Sequence, residues 1–135
     1  MDVTPRVSDY MDKSFITLSP DIDVYQAIDI FLKKNITGAA VVDQKKRLLG
    51  ILSEKDCLRI LVHDAYSNLP SGIVADYMTR DVVTISPSLD IFSTADMFFT
   101  HTFRRLLIVE NSKLVGQITR RDLLRVIQRI KLNQI

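Results

Sequence analysis

The chain repeats itself, and this repeat is the feature that most limits how its 135 residues can fold. Shifted so that position 7 meets position 74, the sequence matches itself in order over nearly its whole length. Two copies of one structural unit are therefore predicted, and they set the architecture. The matching segments are VSDYM (7–11) with VADYM (74–78), ITLSP (16–20) with VTISP (83–87), DVYQAIDIF (23–31) with DIFSTADMF (90–98), AAVVD (39–43) with LLIVE (106–110) and, after a one-residue gap, LLGILSEKDCLRI (48–60) with LVGQITRRDLLRV (114–126).

Each copy has the pattern β-α-β-β-α. A brief extended segment leads into a proline (Pro20 or Pro87), which disfavours helix at the residue before it. Apolar residues then recur at helical spacing after an aspartate suited to an N-cap (Asp23 or Asp90). Two short apolar strands joined by a polar turn follow, and a second helix ends the copy. The predicted elements are extended segments 16–18 and 83–85, helices 23–34 and 90–101, strands 38–42, 48–52, 105–109 and 113–118, and final helices 54–63 and 120–131.

A single copy of about 60 residues buries little apolar surface on its own, so the two copies are expected to share a core. The predicted division is a first repeat with its N-terminal lead-in over 1–62, a linker over 63–72 and a second repeat over 73–135. The linker sequence HDAYSNLPSG has Asn, Pro, Ser and Gly and no apolar periodicity. The expected fold class is α/β (α+β).

Composition narrows the function classes. Hydrophobic residues make up 47% and charged residues 25%, which is ordinary for a folded domain. No apolar run approaches the ~20 residues of a membrane span, and the N-terminus has no signal-peptide pattern, so we expect a cytoplasmic protein. The single cysteine, Cys57, allows no intrachain disulfide. Neither histidine has metal-ligand spacing, and no G-x-S-x-G or Walker A sequence occurs, so we expect no metal site and no enzymatic activity.

Charge is unevenly distributed. Residues 104–131 carry eight basic and two acidic side chains, which gives this segment a net charge of +6 and the remainder −4. Such a region indicates an anionic partner. The alternative is a solvated basic helix whose cations lie near its C-terminus, where the helix dipole favours them.

A motif G-x-x-[ST]-x-x-D occurs where the last strand of each copy meets its final helix: Ser53 with Asp56, and Thr119 with Asp122. One interpretation is a helix cap, in which the hydroxyl accepts from an orphan N–H and the acid complements the helix dipole. The other is ligand binding. A helix N-terminus and a hydroxyl suit a phosphate, and an aspartate one turn later can accept from both hydroxyls of a ribose. The two interpretations are compatible.

The D-Y-M lead-in, the T-x-S-P segment, the A-V-V-D hairpin and this motif resemble a tandem pair of CBS domains (the cystathionine β-synthase type), or Bateman module. The resemblance runs from about Val7 to Ile127. It implies two repeats packed sheet to sheet about a pseudo-twofold axis. It also implies clefts that bind adenine nucleotides such as AMP, ADP, ATP or S-adenosylmethionine, a regulatory and energy-sensing role, and a homodimer. The nucleotide is then a regulatory ligand rather than an obligatory cofactor, and an unidentified protein target reads the signal.

The resemblance also assigns candidate nucleotide-binding residues. The hydroxyl residue of the motif lies near phosphate, the aspartate holds the ribose, and the entrance of the middle strand contacts adenine. Arginines at that entrance suit phosphate because their forked donors match its oxygens. Since they occur only in the second copy, we predict two unequal sites, the more basic one preferring more phosphates. The candidates are Ser53, Asp56, Thr119, Asp122, Arg104, Arg105, Ile36, Thr37, Gly38, Phe103, Arg121, Lys13 and Arg80.

Two other functions stay open. A structural dimerisation or protein-interaction module with empty clefts needs no motif at all. A weak nucleic-acid binder would use an arginine stripe on the last helix, with affinity that falls strongly with salt. The aromatic residues of that half are spaced as helix core rather than as a stacking platform, which disfavours nucleic acid. The stripe is Arg120, Arg121, Arg125 and Arg129, and the aromatic residues are Phe92, Phe98, Phe99 and Phe103.

Overall fold

A computed structural model describes residues 4–67 and 72–133. It is a mixed α/β structure with two three-stranded sheets, and each copy has the predicted β-α-β-β-α order. A 3-10 helix, Val7–Asp9, precedes these elements. The elements are β1 (Thr17–Leu18), α1 (Val24–Lys34), β2 (Gly38–Val42), β3 (Leu48–Ser53), α2 (Glu54–Ser67), α3 (Val74–Tyr77), β4 (Thr84–Ile85), α4 (Ile91–Thr100), β5 (Arg105–Glu110), β6 (Lys113–Thr119) and α5 (Arg120–Asn133).

The chain divides into two compact units that differ from the sequence repeats. The first-repeat unit is Ile16–Val82, and the second-repeat unit combines Met1–Phe15 with Val83–Ile135. Each D-Y-M lead-in thus packs in the unit formed by the other copy. The predicted division at 1–62 and 73–135 keeps each lead-in with its own repeat, whereas in the structure hydrophobic burial and backbone pairing hold it to the other one. Val7 is fully buried in the second-repeat core, and Val74 is fully buried in the first-repeat core.

The first-repeat unit is built on a sheet of order β1-β2-β3, with β1 parallel to β2 and β2 antiparallel to β3. The Asp23 carboxylate accepts from the Tyr25 amide at 2.8 Å and begins α1. Helix α1 ends at Asn35, whose left-handed backbone (φ 54°) turns the chain into β2. The residues of α1 that face the core recur at helical spacing: Val24, Ala27, Ile28 and Phe31.

The second-repeat unit has the same topology in a sheet of order β4-β5-β6. The Asp90 carboxylate accepts from the Ser93 amide at 2.9 Å and from the Ser93 hydroxyl at 2.7 Å, which begins α4. These hydrogen bonds from Ser93 lower the pKa of Asp90. The core residues of this unit are Val7, Ile85, Ile91, Leu106, Ile108, Ile118, Leu123 and Val126.

Both lead-ins cross a strand at the glycine of the repeated motif. Backbone hydrogen bonds join Thr79 to Ile51 and Asp12 to Gln117 in both directions, at 2.8–3.0 Å. A Cβ on Gly50 would lie 2.6 Å from the Thr79 carbonyl oxygen, and a Cβ on Gly116 would lie 2.5 Å from the sulfur of Met11. The glycine of each motif is therefore required by the close approach of the lead-in.

The predicted linker 63–72 begins too early. Residues 63–67 continue α2 to Ser67, because the sequence between 54 and 67 contains no proline or glycine to break the helix. Residues 68–71 lie outside the described part of the chain. Within the described ranges, no helix has the length and apolar character needed to cross a membrane.

Candidate functional site

The motif of the first-repeat unit forms a closed hydrogen-bonded ring. Asp56 Oδ2 accepts from the Ser53 amide at 3.0 Å and from the Ser53 hydroxyl at 2.8 Å. The Ser53 hydroxyl oxygen in turn accepts from the Asp56 amide at 3.1 Å. This is a reciprocal helix cap that fixes the hydroxyl and carboxylate at the point where β3 becomes α2.

The motif of the second-repeat unit makes the same cap with different side-chain partners. Asp122 Oδ2 accepts from the Thr119 amide at 2.9 Å, and Thr119 Oγ1 accepts from the Asp122 amide at 3.2 Å. The other carboxylate oxygen, Oδ1, lies 3.9 Å from Nη1 of Arg125. Capping is thus a real role of both motifs, as one of the two interpretations predicted.

The two caps leave different groups available to a ligand. The Ser53 hydroxyl proton is directed to Asp56, while no acceptor for the Thr119 hydroxyl proton is found among the described residues. Conversely, Oδ1 of Asp56 has no hydrogen-bond partner within residues 4–67 and 72–133, while Oδ1 of Asp122 is near a guanidinium. One site offers a freer carboxylate and the other a freer hydroxyl.

The entrance of β2 lies beside the first motif. Gly38 is the register partner of Ser53, and the Thr37 carbonyl accepts from the Glu54 amide at 2.9 Å. The Glu54 and Asp56 amides are therefore both engaged, so two of the four N–H groups at the start of α2 are unavailable to an anion. Ile36 instead packs against the core and donates its amide to Phe31.

The entrance of β5 lies beside the second motif in the same way. Arg105 is the register partner of Thr119, and Arg104 precedes it as an exposed residue. Burial, followed by the neighbouring Arg104 charge, lowers the pKa of Arg105. Phe103 packs against the core. The structure thus brings Arg105, Thr119 and Asp122 together on one edge.

An aromatic stack that the sequence motifs did not predict lies at this entrance. The His101 and Phe103 rings are parallel within 13°, with centroids 4.7 Å apart. The His101 ring is positioned at the end of α4, where Nδ1 lies 3.1 Å from the Met97 carbonyl oxygen and 2.9 Å from the Thr100 hydroxyl. The sequence feature that could have predicted this stack is the spacing of His101 and Phe103, two aromatic rings two residues apart at the end of a helix.

The remaining basic candidates are Arg80, Lys13 and Arg121. Arg80 follows Thr79 in the first-repeat unit, and its guanidinium donates to the Ala75 carbonyl at 3.3 Å. Lys13 is exposed and belongs to the second-repeat unit, where it follows the pairing of Asp12 with Gln117. Arg121 is exposed and lines a groove between α4 and α5.

Comparison with known proteins assigns this architecture to a family. The CBS-domain family model matches residues 7–63 and again 74–129. The chain therefore belongs to the CBS-domain family and contains a tandem CBS pair. Its fold matches that of the CBS-pair protein CBSX2 of Arabidopsis thaliana, crystallised in complex with AMP. The TM-score is 0.82 at 27% identity, covering 94% of this chain and 98% of that one.

Two sequence relatives are longer than this chain. It is 33% identical over 125 residues to the uncharacterized protein MJ1225 of Methanocaldococcus jannaschii, covering 93% of this chain and 44% of the relative. It is 34% identical over 119 residues to inosine-5'-monophosphate dehydrogenase of Nitrosopumilus maritimus, covering 87% of this chain and 23% of that enzyme. The chain thus spans less than half of either relative.

Proposed function

We propose that this tandem CBS pair is a regulatory module that binds adenine nucleotides at its two G-x-x-[ST]-x-x-D motifs. The observation that carries the proposal is the strand register, which pairs Gly38 with Ser53 and Arg105 with Thr119. In both units a strand entrance, a hydroxyl and a carboxylate thereby occupy one edge. The AMP complex of CBSX2 supports the choice of an adenine nucleotide.

The first-repeat site suits a nucleoside with few phosphates. Asp56 Oδ1 accepts from the ribose diol, while Oδ2 maintains the cap. The backbone of Gly38 lets a flat base approach closely, next to Thr37 and Ile36. Glu54 is an exposed acid at the start of α2, where the second copy has Arg120, so added phosphates gain little here.

The second-repeat site suits a nucleotide with more phosphates. The Thr119 hydroxyl donates to a phosphate oxygen, and Arg105 and Arg104 supply charge-assisted donors beside it. Arg105 is partly desolvated, so it has less hydration to lose on binding an anion. The ring of Phe103 borders the base, and Arg121 and Lys13 add positive charge to the same unit.

Regulation follows from differential binding rather than from chemistry on the nucleotide. A ligand shifts a conformational equilibrium only if it binds the two states unequally. In this proposal the module performs no reaction and works in the cytoplasm, and nucleotide occupancy alters its docking on a protein target. At a concentration of ~100 times its dissociation constant, the nucleotide would stabilise the folded chain by roughly 2.7 kcal/mol.

We further propose that the module is a homodimer formed through its helices. Three pairs of equivalent positions keep large apolar side chains exposed in both units, which is costly unless they are covered. The apolar positions on these helices are not all buried: Val24 is in the core, whereas Leu58, Leu61 and Leu124 are 62%, 40% and 71% exposed. The three exposed pairs are Tyr25 with Phe92, Leu32 with Phe99, and Leu58 with Leu124.

A thermal-shift screen at fixed salt tests the nucleotide proposal. The ligands are AMP, ADP, ATP, S-adenosylmethionine, GTP and a short DNA duplex. We expect saturable stabilisation by adenine compounds alone, and its loss at one site in Asp56→Asn and at the other in Asp122→Asn. Asparagine can keep the cap acceptor while removing the carboxylate. No shift with any nucleotide would contradict the proposal, and a shift only with DNA that vanished at high salt would replace it with polyanion binding.

A further inference from the structure

The imidazole of His101 lies at the entrance of β5, stacked on the ring of Phe103. His101 is exposed and Phe103 is half-buried, and their rings are parallel within 13°. The centroids are 4.7 Å apart, which exceeds the contact distance of about 3.5 Å between stacked carbon atoms, so the rings are displaced sideways. The imidazole therefore leaves part of the Phe103 face uncovered. A flat base in the plane of the imidazole can contact this part and direct its edge toward His101.

The end of α4 determines which ring nitrogen of His101 carries the proton. Nδ1 lies 3.1 Å from the Met97 carbonyl oxygen, which can only accept, so Nδ1 is the protonated nitrogen. The Thr100 hydroxyl lies 3.4 and 3.5 Å from the Met97 and Asp96 carbonyl oxygens and donates to them. Its oxygen is then free to accept from Nδ1, which is 2.9 Å away. A neutral imidazole with its proton on Nδ1 has an acceptor lone pair on Nε2.

The acceptor on Nε2 is available to a ligand. The two nitrogens point to different sides of the ring, so Nε2 points away from the end of α4 that holds Nδ1. Within residues 4–67 and 72–133, no hydrogen-bond partner of Nε2 is found. The ring is held by the stack and by the helix end, so little conformational entropy is lost when a ligand binds to it.

A fixed acceptor beside a flat ring distinguishes the two common purines. Adenine carries an amino group at C6, which donates, whereas guanine carries a carbonyl oxygen there, which accepts. We propose that His101 selects adenine over guanine at the second-repeat site, because its Nε2 accepts from the 6-amino group of a base that borders Phe103. This inference rests on the nucleotide binding proposed at Thr119 and Asp122, and it names the side chain that distinguishes the base.

The first copy has no counterpart of this acceptor. The positions equivalent to His101 and Phe103 hold Lys34 and Ile36. An ammonium group can only donate, and isoleucine has no flat ring. Helix α1 also ends differently, at Asn35 with a left-handed backbone, whereas His101 is extended. Discrimination through an imidazole acceptor is therefore expected at the second-repeat site alone.

Calorimetric titration with three triphosphates tests this role. The ligands are ATP, GTP and purine riboside 5'-triphosphate, which has hydrogen in place of the 6-amino group. The parent for the test is Asp56→Asn, in which only the second-repeat site is expected to bind. In that background His101→Phe keeps a flat ring over Phe103 and removes Nε2. Lys34→Phe, the same replacement at the exposed equivalent position of the first copy, is the matched control.

The proposed hydrogen bond predicts a ratio of affinities that depends on His101. The parent should bind ATP about five- to tenfold more tightly than purine riboside triphosphate, and GTP more weakly still. His101→Phe should bind ATP and purine riboside triphosphate equally, because the amino group then has no acceptor. Its affinity for purine riboside triphosphate should match that of the parent. Lys34→Phe should keep the parent ratio.

The ratio separates base recognition from a structural role of His101. If the ring only maintained the end of α4, His101→Phe would weaken ATP and purine riboside triphosphate by the same factor and keep their ratio, which would overturn the inference. Equal binding of the two ligands by the parent would also overturn it. If the parent bound none of the triphosphates, the nucleotide proposal itself would fail, and the role of His101 would fail with it.

Discussion

The first-repeat and second-repeat units share a backbone plan but differ at the site. Both cap their final helix with an aspartate that accepts from the amide three residues earlier, at 3.0 and 2.9 Å. In the first, the hydroxyl proton of Ser53 is committed to Asp56, and the strand entrance is Thr37-Gly38. In the second, Thr119 is beside Arg105. The comparison shows that the same cap is formed in both copies. We propose that the side chains around the cap set the ligand preference.

The largest expected effect is on packing at the motif glycines. Gly50→Ala places a Cβ 2.6 Å from the Thr79 backbone oxygen, which is fixed by hydrogen bonds to Ile51. Gly116→Ala meets the flexible end of Met11 instead. We expect a loss of about 3 kcal/mol in unfolding free energy for Gly50→Ala and about 1 kcal/mol for Gly116→Ala. Urea denaturation measures both, and equal losses would contradict the distinction between backbone and side-chain contact.

The next effect depends on pH and belongs to the first-repeat unit alone. Cys57 is buried, and burial raises the pKa of its thiol from 9.0 to about 11, with smaller contributions from Asp56 and Glu54. As pH rises, the thiol of the unfolded chain ionises before the thiol of the folded chain. The stability that comes from burying the neutral thiol is therefore fully present below pH 9 and is lost as pH rises through 11. This loss can reach about 2 kcal/mol.

The control for this titration is Cys57→Ala, compared by denaturation from pH 8 to 11. The variant has a lower baseline because it leaves a small cavity, but its stability should fall less steeply than that of the parent. Lysine and tyrosine titration affects both chains equally, so the difference in slope isolates the thiol. Parallel pH profiles would show that Cys57 ionises as readily in the folded state as in the unfolded state.

A smaller effect should separate the two caps. The Ser53 hydroxyl takes part in two hydrogen bonds, whereas Thr119 Oγ1 makes one with the described residues. Ser53→Ala and Thr119→Val each remove the hydroxyl with little change of shape. We expect losses of about 1 and about 0.5 kcal/mol in unfolding free energy. A larger loss for Thr119→Val would reverse this ranking of the caps.

The smallest expected effect concerns the first turns of α1 and α4. The Tyr25 hydroxyl donates to the Asp64 carboxylate, whereas the equivalent residue of the second copy is Phe92. Tyr25→Phe should cost about 0.5 kcal/mol because the hydrogen bond is at the surface. A double-mutant cycle of Tyr25→Phe and Asp64→Asn measures the coupling free energy between the two side chains. If the losses in unfolding free energy of the two single variants add up to that of the double variant, the hydrogen bond contributes no stability of its own.

Much of the fold could be predicted from the sequence, because local signals and hydrophobic period agree in both copies. Asp23 and Asp90 cap helices where their spacing indicated, and the strands are within one residue of their predicted starts and ends. The predicted end of α2 was wrong. The segment HDAYS was assigned to a linker because Asn, Pro and Gly follow it, whereas in the structure it continues the helix. Helical propensity continues until a breaker residue intervenes.

The exchange of lead-ins could not be predicted from the sequence. VSDYM and VADYM are nearly identical, so local sequence does not determine which glycine each methionine covers. The pairing of Met11 with Gly116, and of Met78 with Gly50, is a long-range choice. At the site, the motif spacing predicted the cap, but the different use of the Ser53 and Thr119 hydroxyls depends on rotamers that sequence does not specify.

The most direct test of two unequal nucleotide sites is calorimetric titration of AMP and ATP into the parent, Asp56→Asn and Asp122→Asn. The site that prefers ATP should be lost in Asp122→Asn and retained in Asp56→Asn. In Arg104→Ala, the preference of that site for ATP over AMP should decrease. Loss of AMP binding with retention of ATP binding is expected for Asp56→Asn. Variants that bind both nucleotides as the parent does would contradict the assignment of these aspartates to the sites.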